Sequence, residues 1–207
     1  MADPRRILIL LAHPVLERSR VNRRLADAVK DLPGVTVHDL YEAYPSMNID
    51  VKREQALLLE HDVVVLQHPF YWYSAPAIIK EWLDLVLEHG WAYGQHGKAL
   101  AGKLALNVIS TGGPDFAYRP DGFNRFTMRQ LLAPFDQTFH LCQMKYLAPF
   151  VVHAAMRVET DEDIKPHVRA YAALLASLRD GTLDLNQAMA AQRLNDGAFT
   201  PQPAGNA

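Results

Sequence analysis

The chain is poor in the features that mark several protein classes. Its 207 residues include a single cysteine, Cys142, which excludes an internal disulfide framework and fits a reducing compartment. No apolar stretch approaches the roughly 20 residues of a membrane span. A net charge of −2 supplies no field for nucleic acid or an anionic membrane. The nine histidines are scattered, without H-E-x-x-H, C-x-x-C or paired-carboxylate spacing, so no metal site is expected. G-x-G-x-x-G is missing, which weakens a dinucleotide reading, and so is the G-x-S-x-G elbow of many hydrolases. Cys142, between Leu141 and Gln143, reads as a small packed residue. The opening MADPRRILILLAHP sets two arginines before an apolar run, but that run is too short for a secretory signal and ends in His-Pro. These absences leave a soluble, cytoplasmic, single-domain protein as the expectation.

What is present is a rhythm of short apolar runs and amphipathic segments. Residues 7–12 (ILILLA), 35–40 (VTVHDL), 62–67 (DVVVLQ), 103–110 (KLALNVIS) and 146–152 (YLAPFVV) read as strands. The first, third and fourth are almost continuously apolar, as strands covered on both faces are. Val21, Leu25, Ala28, Val29 and Leu32 recur at helical spacing before Pro33-Gly34 stops them. Pro76 opens a second helix with a stripe of Ile78, Ile79, Trp82, Leu83, Val86 and Leu87. Residues 124–133 give a third helical stretch. Thr160 caps a last helix striped by Ile164, Val168, Tyr171, Leu175 and Leu178. Such alternation predicts a parallel sheet with helices on both faces. From about Leu183 the composition turns to Asn, Gln, Ala and Pro. The domain is therefore expected over 1–182, with 183–207 a flexible or partner-packed tail.

In open α/β sheets, ligands collect beyond the carboxyl ends of the strands. Three such loops are unusual here. The first offers His13, Ser19 and Asn22 at the start of a helix, a setting that suits a phosphate; Ser19 as a plain N-cap is equally served. The second, Pro69-Phe70-Tyr71-Trp72-Tyr73, is a wall of aromatics suited to a flat ligand or to a subunit interface. The third carries Thr111-Gly112-Gly113, where backbone amides can approach a ligand or simply turn the chain. Tyr118 follows five residues later as a candidate proton donor.

Taken together, AHP with SRVN, then QHPFYWYSAPAIIKEWLDLVLEHGWAYG, then STGG resemble the flavodoxin-like NAD(P)H:quinone oxidoreductase family. DGFNRFTMRQLLAPF and LCQMKYLAPF are similar to its branch of ancillary flavoproteins from glutathione-regulated potassium efflux systems. The likeness runs from about Arg5 to Gly181. It implies a doubly wound five-stranded parallel sheet of order 2-1-3-4-5. It also implies FMN as cofactor, with FAD as the alternative sharing the same phosphate, and NADPH or NADH as co-substrate. His13, Ser19, Arg20, Val21 and Asn22 would hold the phosphate. Pro69, Phe70, Tyr71, Trp72 and Tyr73 would line the isoalloxazine, and Ser110, Thr111, Gly112 and Gly113 its pyrimidine end. Gly112, Gly113 and Tyr118 would serve catalysis by steadying charge and supplying a proton.

The resemblance further implies a homodimer in which Trp91 and Tyr93 reach the partner's flavin. In the quinone oxidoreductases a histidine stands six residues after the tyrosine matching Tyr118. This chain has Asn124 there, which cannot serve as an acid or base. The activity expected is two-electron hydride transfer from NAD(P)H through the flavin to a quinone. The alternative is a regulatory subunit on the cytosolic domain of a potassium efflux transporter, placed at the inner membrane face, in which the flavin is structural or sensory. An electron carrier and a phosphate-binding protein without flavin are further rivals, and the aromatic loop speaks against both.

Overall fold

A strand that is apolar at every position must be covered on both sides, and this fold is built around that demand. The computed structural model describes residues 3–195. Strands β1 (Ile7–Leu11), β2 (Val35–Asp39), β3 (Val63–Pro69) and β4 (Leu104–Ser110) lie parallel. The last sheet position is shared by β5 (Lys145–Tyr146) and β6 (Phe150–Val152), both parallel to β4. The order is β2-β1-β3-β4-β5, with β6 also on β4. The run 146–152, expected as one strand, splits because Pro149 has no N–H to give the ladder.

Side chains alternate between two cores. Leu8, Leu10, Val64 and Leu66 point to one face, while Ile7, Ile9, Val63 and Val65 point to the other. On the first face pack α3 (Val51–Glu60), α4 (Ala77–Val86) and α6 (Ala133–Leu141), through Leu58, Ile78, Ile79, Trp82, Phe135 and Phe139. On the second pack α1 (Asn22–Val29) and α7 (Asp161–Arg179), through Leu25, Val29, Ile164, Tyr171, Leu174 and Leu178. Thr160 caps α7 in a reciprocal capping box with Asp163.

Several expectations need correction. Helix α3 was not anticipated, because Ala56-Leu57-Leu58-Leu59 forms a block rather than a stripe; Asp50 caps it through Arg53 N–H. Nor was the single turn α2 (Leu40–Ala43), capped by Asp39. The stretch 124–133 is not one helix. Arg125 has φ +63°, and helix begins only at α5 (Met128–Leu131), where Thr127 and Gln130 form a capping box.

The boundary at 182 also fails for the described part of the tail. Helix α8 (Leu185–Ala190) and buried Leu183, Ala188 and Leu194 join the second core. Asn195 pairs with Val151 as a strand would, its Oδ1 accepting from Val151 N–H at 2.7 Å and its Nδ2 donating to Val151 C=O at 2.8 Å. The rest of the expected tail, 196–207, lies outside the described residues.

A buried polar chain sits beneath the second loop. Tyr146 Oη donates to Asn107 Oδ1 at 2.6 Å, Asn107 Nδ2 donates to His68 Nε2 at 3.0 Å, and His68 Nδ1 lies 3.0 Å from the Pro69 carbonyl. That pattern assigns the proton to Nδ1. Burial pushes the His68 imidazole down to about 4. In the unfolded chain histidine titrates near 6.5, so the unfolded state takes the proton first as pH falls. The contribution is complete above pH 6.5 and is lost as pH falls toward 4, by about 3 kcal/mol. Urea unfolding between pH 7 and 4 should therefore show a shallower loss of stability in His68→Gln than in the parent; parallel pH profiles would contradict it.

Candidate functional site

The sheet register decides what meets at the site. Leu11 lies opposite Gln67, and Pro69 opposite Ser110, so β1, β3 and β4 open at the same edge. Their loops enclose a cleft of about 830 Å3, within the range of sites for cofactor-sized ligands. His13, Ser19, Arg20 and Val21 line it from the first loop, Pro69, Phe70, Tyr71 and Trp72 from the second, and Ser110, Thr111 and Gly112 from the third. The remaining expected residues brace the cleft or lie apart. Asn22 is buried at the start of the first helix, Tyr73 is half-exposed beside Trp72, and Gly113 lies against Tyr118. Tyr93 lines a separate groove with Leu83, Leu87 and Phe135, and Trp91 packs against the core of that face.

In the first loop, a 3-10 turn over Leu16–Arg18 brings Ser19 under the start of α1. Ser19 Oγ accepts from Asn22 N–H at 2.9 Å. The serine thus satisfies a helix donor and still has its own O–H to give. His13 Nδ1 accepts from Val15 N–H at 3.2 Å, which assigns the ring proton to Nε2. Burial holds this imidazole below its usual range, leaving a neutral donor at the cleft wall. Arg20 Nη1 donates to Met156 C=O at 2.8 Å and ties the first loop to the last. Asn22 Nδ2 donates to Ser110 Oγ at 2.8 Å. Its Oδ1 is the one buried side-chain polar atom among the described residues with no partner, so this amide can serve one further hydrogen-bonding group.

The second loop is a tight turn. Ser74 N–H donates to Tyr71 C=O at 2.9 Å, and the two residues pair as an antiparallel bridge. Both central residues are left-handed, Trp72 at φ +48° and Tyr73 at φ +62°. That is the pattern of a type I′ turn, normally Asn-Gly. For bulky L residues it costs about 1–2 kcal/mol each. Trp72 is 93% exposed, so burial of its ring does not offset the strain. Tyr73 Oη donates to Asn124 Oδ1 at 3.2 Å, so Asn124 joins the second and third loops rather than acting as an acid.

The third loop is held from beneath. Thr111 Oγ1 donates to Gly113 C=O at 2.8 Å, and Ala154 N–H donates to the same carbonyl at 3.0 Å. A Cβ on Gly113 would fall 3.2 Å from the Tyr118 ring, so this glycine makes room for the tyrosine. Gly112 is different. A Cβ there would meet nothing within 4 Å, and its φ is not in the left-handed range. The fold does not require glycine at 112; the space above it belongs to the cleft.

Val15, Arg18, Ala155 and Met156 also line the cleft and were missed. The last two follow β6, so the rule that sites lie beyond strand ends applied to them as well. His153, also missed, sits behind Thr111. Among the described residues no group of three or more His, Cys, Asp or Glu is placed to hold a metal ion.

A doubly wound parallel sheet with a cofactor-sized cleft beyond its strand ends defines a class of α/β binding domain, and comparison with known proteins makes it specific. The chain belongs to the family with a flavodoxin-like fold, whose model matches residues 5–175. It is 50% identical over 177 residues to the glutathione-regulated potassium-efflux system ancillary protein KefG of Pectobacterium carotovorum subsp. carotovorum (strain PC1), covering 86% of this chain and 96% of that one. The structure of general stress protein 14 from Treponema denticola in complex with FMN is similar at 40% identity and a TM-score of 0.77, over 84% of this chain and 99% of that one. An NADPH-quinone reductase from P. pentosaceus matches at 35% identity and a TM-score of 0.73, over 81% and 95% of the two chains.

Two variants test whether the cleft is shaped for a ligand rather than for folding. Gly112→Ala should leave the melting temperature unchanged or slightly raised while weakening FMN binding at least tenfold in a fluorescence titration; unchanged affinity would show the space is not used. The double change Trp72→Asn, Tyr73→Gly should stabilise the apoprotein by about 1 kcal/mol in urea unfolding and lower FMN affinity. Loss of stability would mean that the turn is not strained.

Proposed function

We propose that this chain is an FMN-dependent NAD(P)H:quinone oxidoreductase. The observation that carries the reading is the pairing, in one cleft, of a donor-rich first loop with a strained aromatic turn facing Gly112. When bound, FMN would supply the chemistry itself, taking a hydride from NAD(P)H and passing two electrons to a quinone-like acceptor. The residues fit such a group: the cleft is large enough, Gly112 leaves it open, and the Asn22 amide has an unused atom.

The chain's own residues bind and orient. His13 Nε2–H and Ser19 O–H would take phosphate oxygens, with Arg18 and Arg20 supplying positive charge at the rim. Phe70, Tyr71 and Trp72 would wall the ring and exclude water from one side. Thr111 and Gly112 would meet the pyrimidine edge, where amide dipoles steady developing negative charge. Tyr118, packed on Gly113 next to that edge, would supply the proton. FAD shares the phosphate recognised by the first loop, and FMN is favoured by the Treponema relative solved with it. In a homodimer, Trp91 and Tyr93 would close the partner's cleft.

A second reading rests on a different observation, the 50% identity to KefG. Here the same flavin site sits in a cytoplasmic subunit that docks on the cytosolic domain of a potassium efflux transporter, and its redox state is a signal. The two readings share the site and differ in turnover.

Purified protein should carry yellow FMN, and His13→Ala with Ser19→Ala should release it with the far-UV CD spectrum intact. Full retention of flavin by that variant would refute the phosphate assignment. Steady oxidation of NADPH or NADH with menadione supports the enzyme; reduction of the flavin without quinone turnover supports the regulatory subunit.

A further inference from the structure

His153 is placed so that both of its ring nitrogens face side-chain oxygens. It follows β6 and is mostly buried. Its Nδ1 lies 3.1 Å from Thr111 Oγ1, which already gives its own proton to Gly113 C=O. With the hydroxyl so turned, that bond needs a proton on Nδ1. Its Nε2 lies 3.4 Å from Asp115 Oδ1, which needs a proton on Nε2. A neutral ring carrying its hydrogen on Nδ1 turns a lone pair toward a carboxylate. One carrying it on Nε2 accepts from the Thr111 hydroxyl at Nδ1, while Gly113 C=O keeps the Ala154 N–H at 3.0 Å. The imidazolium donates from both nitrogens with Thr111 turned to Gly113, so the same surroundings serve the ring with one proton or with two.

Among the described residues, three charged or titratable groups act on the ring. Asp115 attracts the charge, Arg193 from the segment after α8 and His167 from α7 oppose it, and burial opposes it most, so the ring sits below its ordinary range. Arg193 and Arg119 both bond Asp115 and hold it as a carboxylate. The ring of Tyr118 packs against His153 at 5.3 Å between centroids. Thr111, one bond away, lines the cleft. The imidazole is thus neutral but poised, directly behind the edge of the cleft where negative charge would gather.

We propose that His153 is the proton-holding group of this site: it takes one proton from solvent when the bound flavin gains two electrons and releases it when they leave. This rests on the flavin reading above. The balance is complete. NAD(P)H delivers a hydride, which is two electrons and one proton, to the flavin. A solvent proton enters at His153. The quinone then receives the two electrons with both protons and departs as hydroquinone, restoring neutral His153 and oxidised flavin. His153 acts through Thr111 and the field at the ring edge, as a positioning residue rather than by touching substrate.

The test uses FMN-loaded protein. Imidazole 1H–15N NMR, with His153 assigned by its loss in His153→Gln, should give a pKa at least one unit higher after dithionite reduction than before, a tenfold shift. Over the interval between the two values, the midpoint potential of the parent should fall more steeply with pH than that of His153→Gln. The difference should approach 30 mV per pH unit, one further proton on a two-electron couple. The same His153 pKa in both redox states, or parallel potential–pH lines, would overturn the proposal while leaving the flavin reading intact. A protein that takes up no FMN would overturn both.

Discussion

Everything at the cleft depends on a short hydrogen-bonded chain of buried side chains. Tyr171 Oη donates to Gln67 Oε1, Gln67 Nε2 donates to the Asn22 carbonyl, and Asn22 Nδ2 donates to Ser110 Oγ. These bonds join α7, β3, the start of α1 and the end of β4. Each group lies in the apolar interior, where an unpaired donor or acceptor costs about 1–3 kcal/mol. The loops above therefore inherit their spacing from below. Shift α1 by one turn and both Asn22 and Gln67 lose their partners. The first and third loops cannot drift apart while Asn22 holds Ser110. The site is built on loops, but its floor is core.

How much of this was legible follows from the range of the forces involved. The strands were readable because cover on both faces writes itself as continuous apolar sequence, and α7 because Thr160 and its stripe are local. Helix α3 was hidden because its leucines are contiguous, and its caps matter more than its period. The tail looked polar and weak, yet Asn195 supplies to β6 the two bonds of a missing strand; composition does not show pairing made by one side chain. In the site, the three loops announced themselves by residue type. His153 did not. Its meaning comes from Thr111 and Asp115, about forty positions away, and a histidine at a strand end reads as nothing until the sheet is closed.

Strain and vacancy are distributed in a way that folding alone does not explain. Trp72 and Tyr73 hold left-handed backbones that glycine and asparagine would hold at little cost, and Trp72 is left almost bare. Gly112 gives up side-chain packing at a position where any small residue would fit. Both local choices run against stability, and both lie at the same cleft. Natural sequences depart from local rules mainly at functional sites, so the coincidence of the two departures carries more weight than either alone.

Asn124 has a structural part at the cleft. As an amide it neither gives nor takes a proton near neutrality. What it does is accept the Tyr73 hydroxyl and so fasten the aromatic turn to the third loop. His153 packs against the Tyr118 ring and bonds Thr111. A relay residue placed in the mouth of the cleft would be exposed to solvent and free to exchange. One placed behind Thr111 is shielded, faces a fixed carboxylate, and responds to charge in the cleft through a single hydrogen bond. The buried position exchanges speed of proton transfer for sensitivity to charge in the cleft.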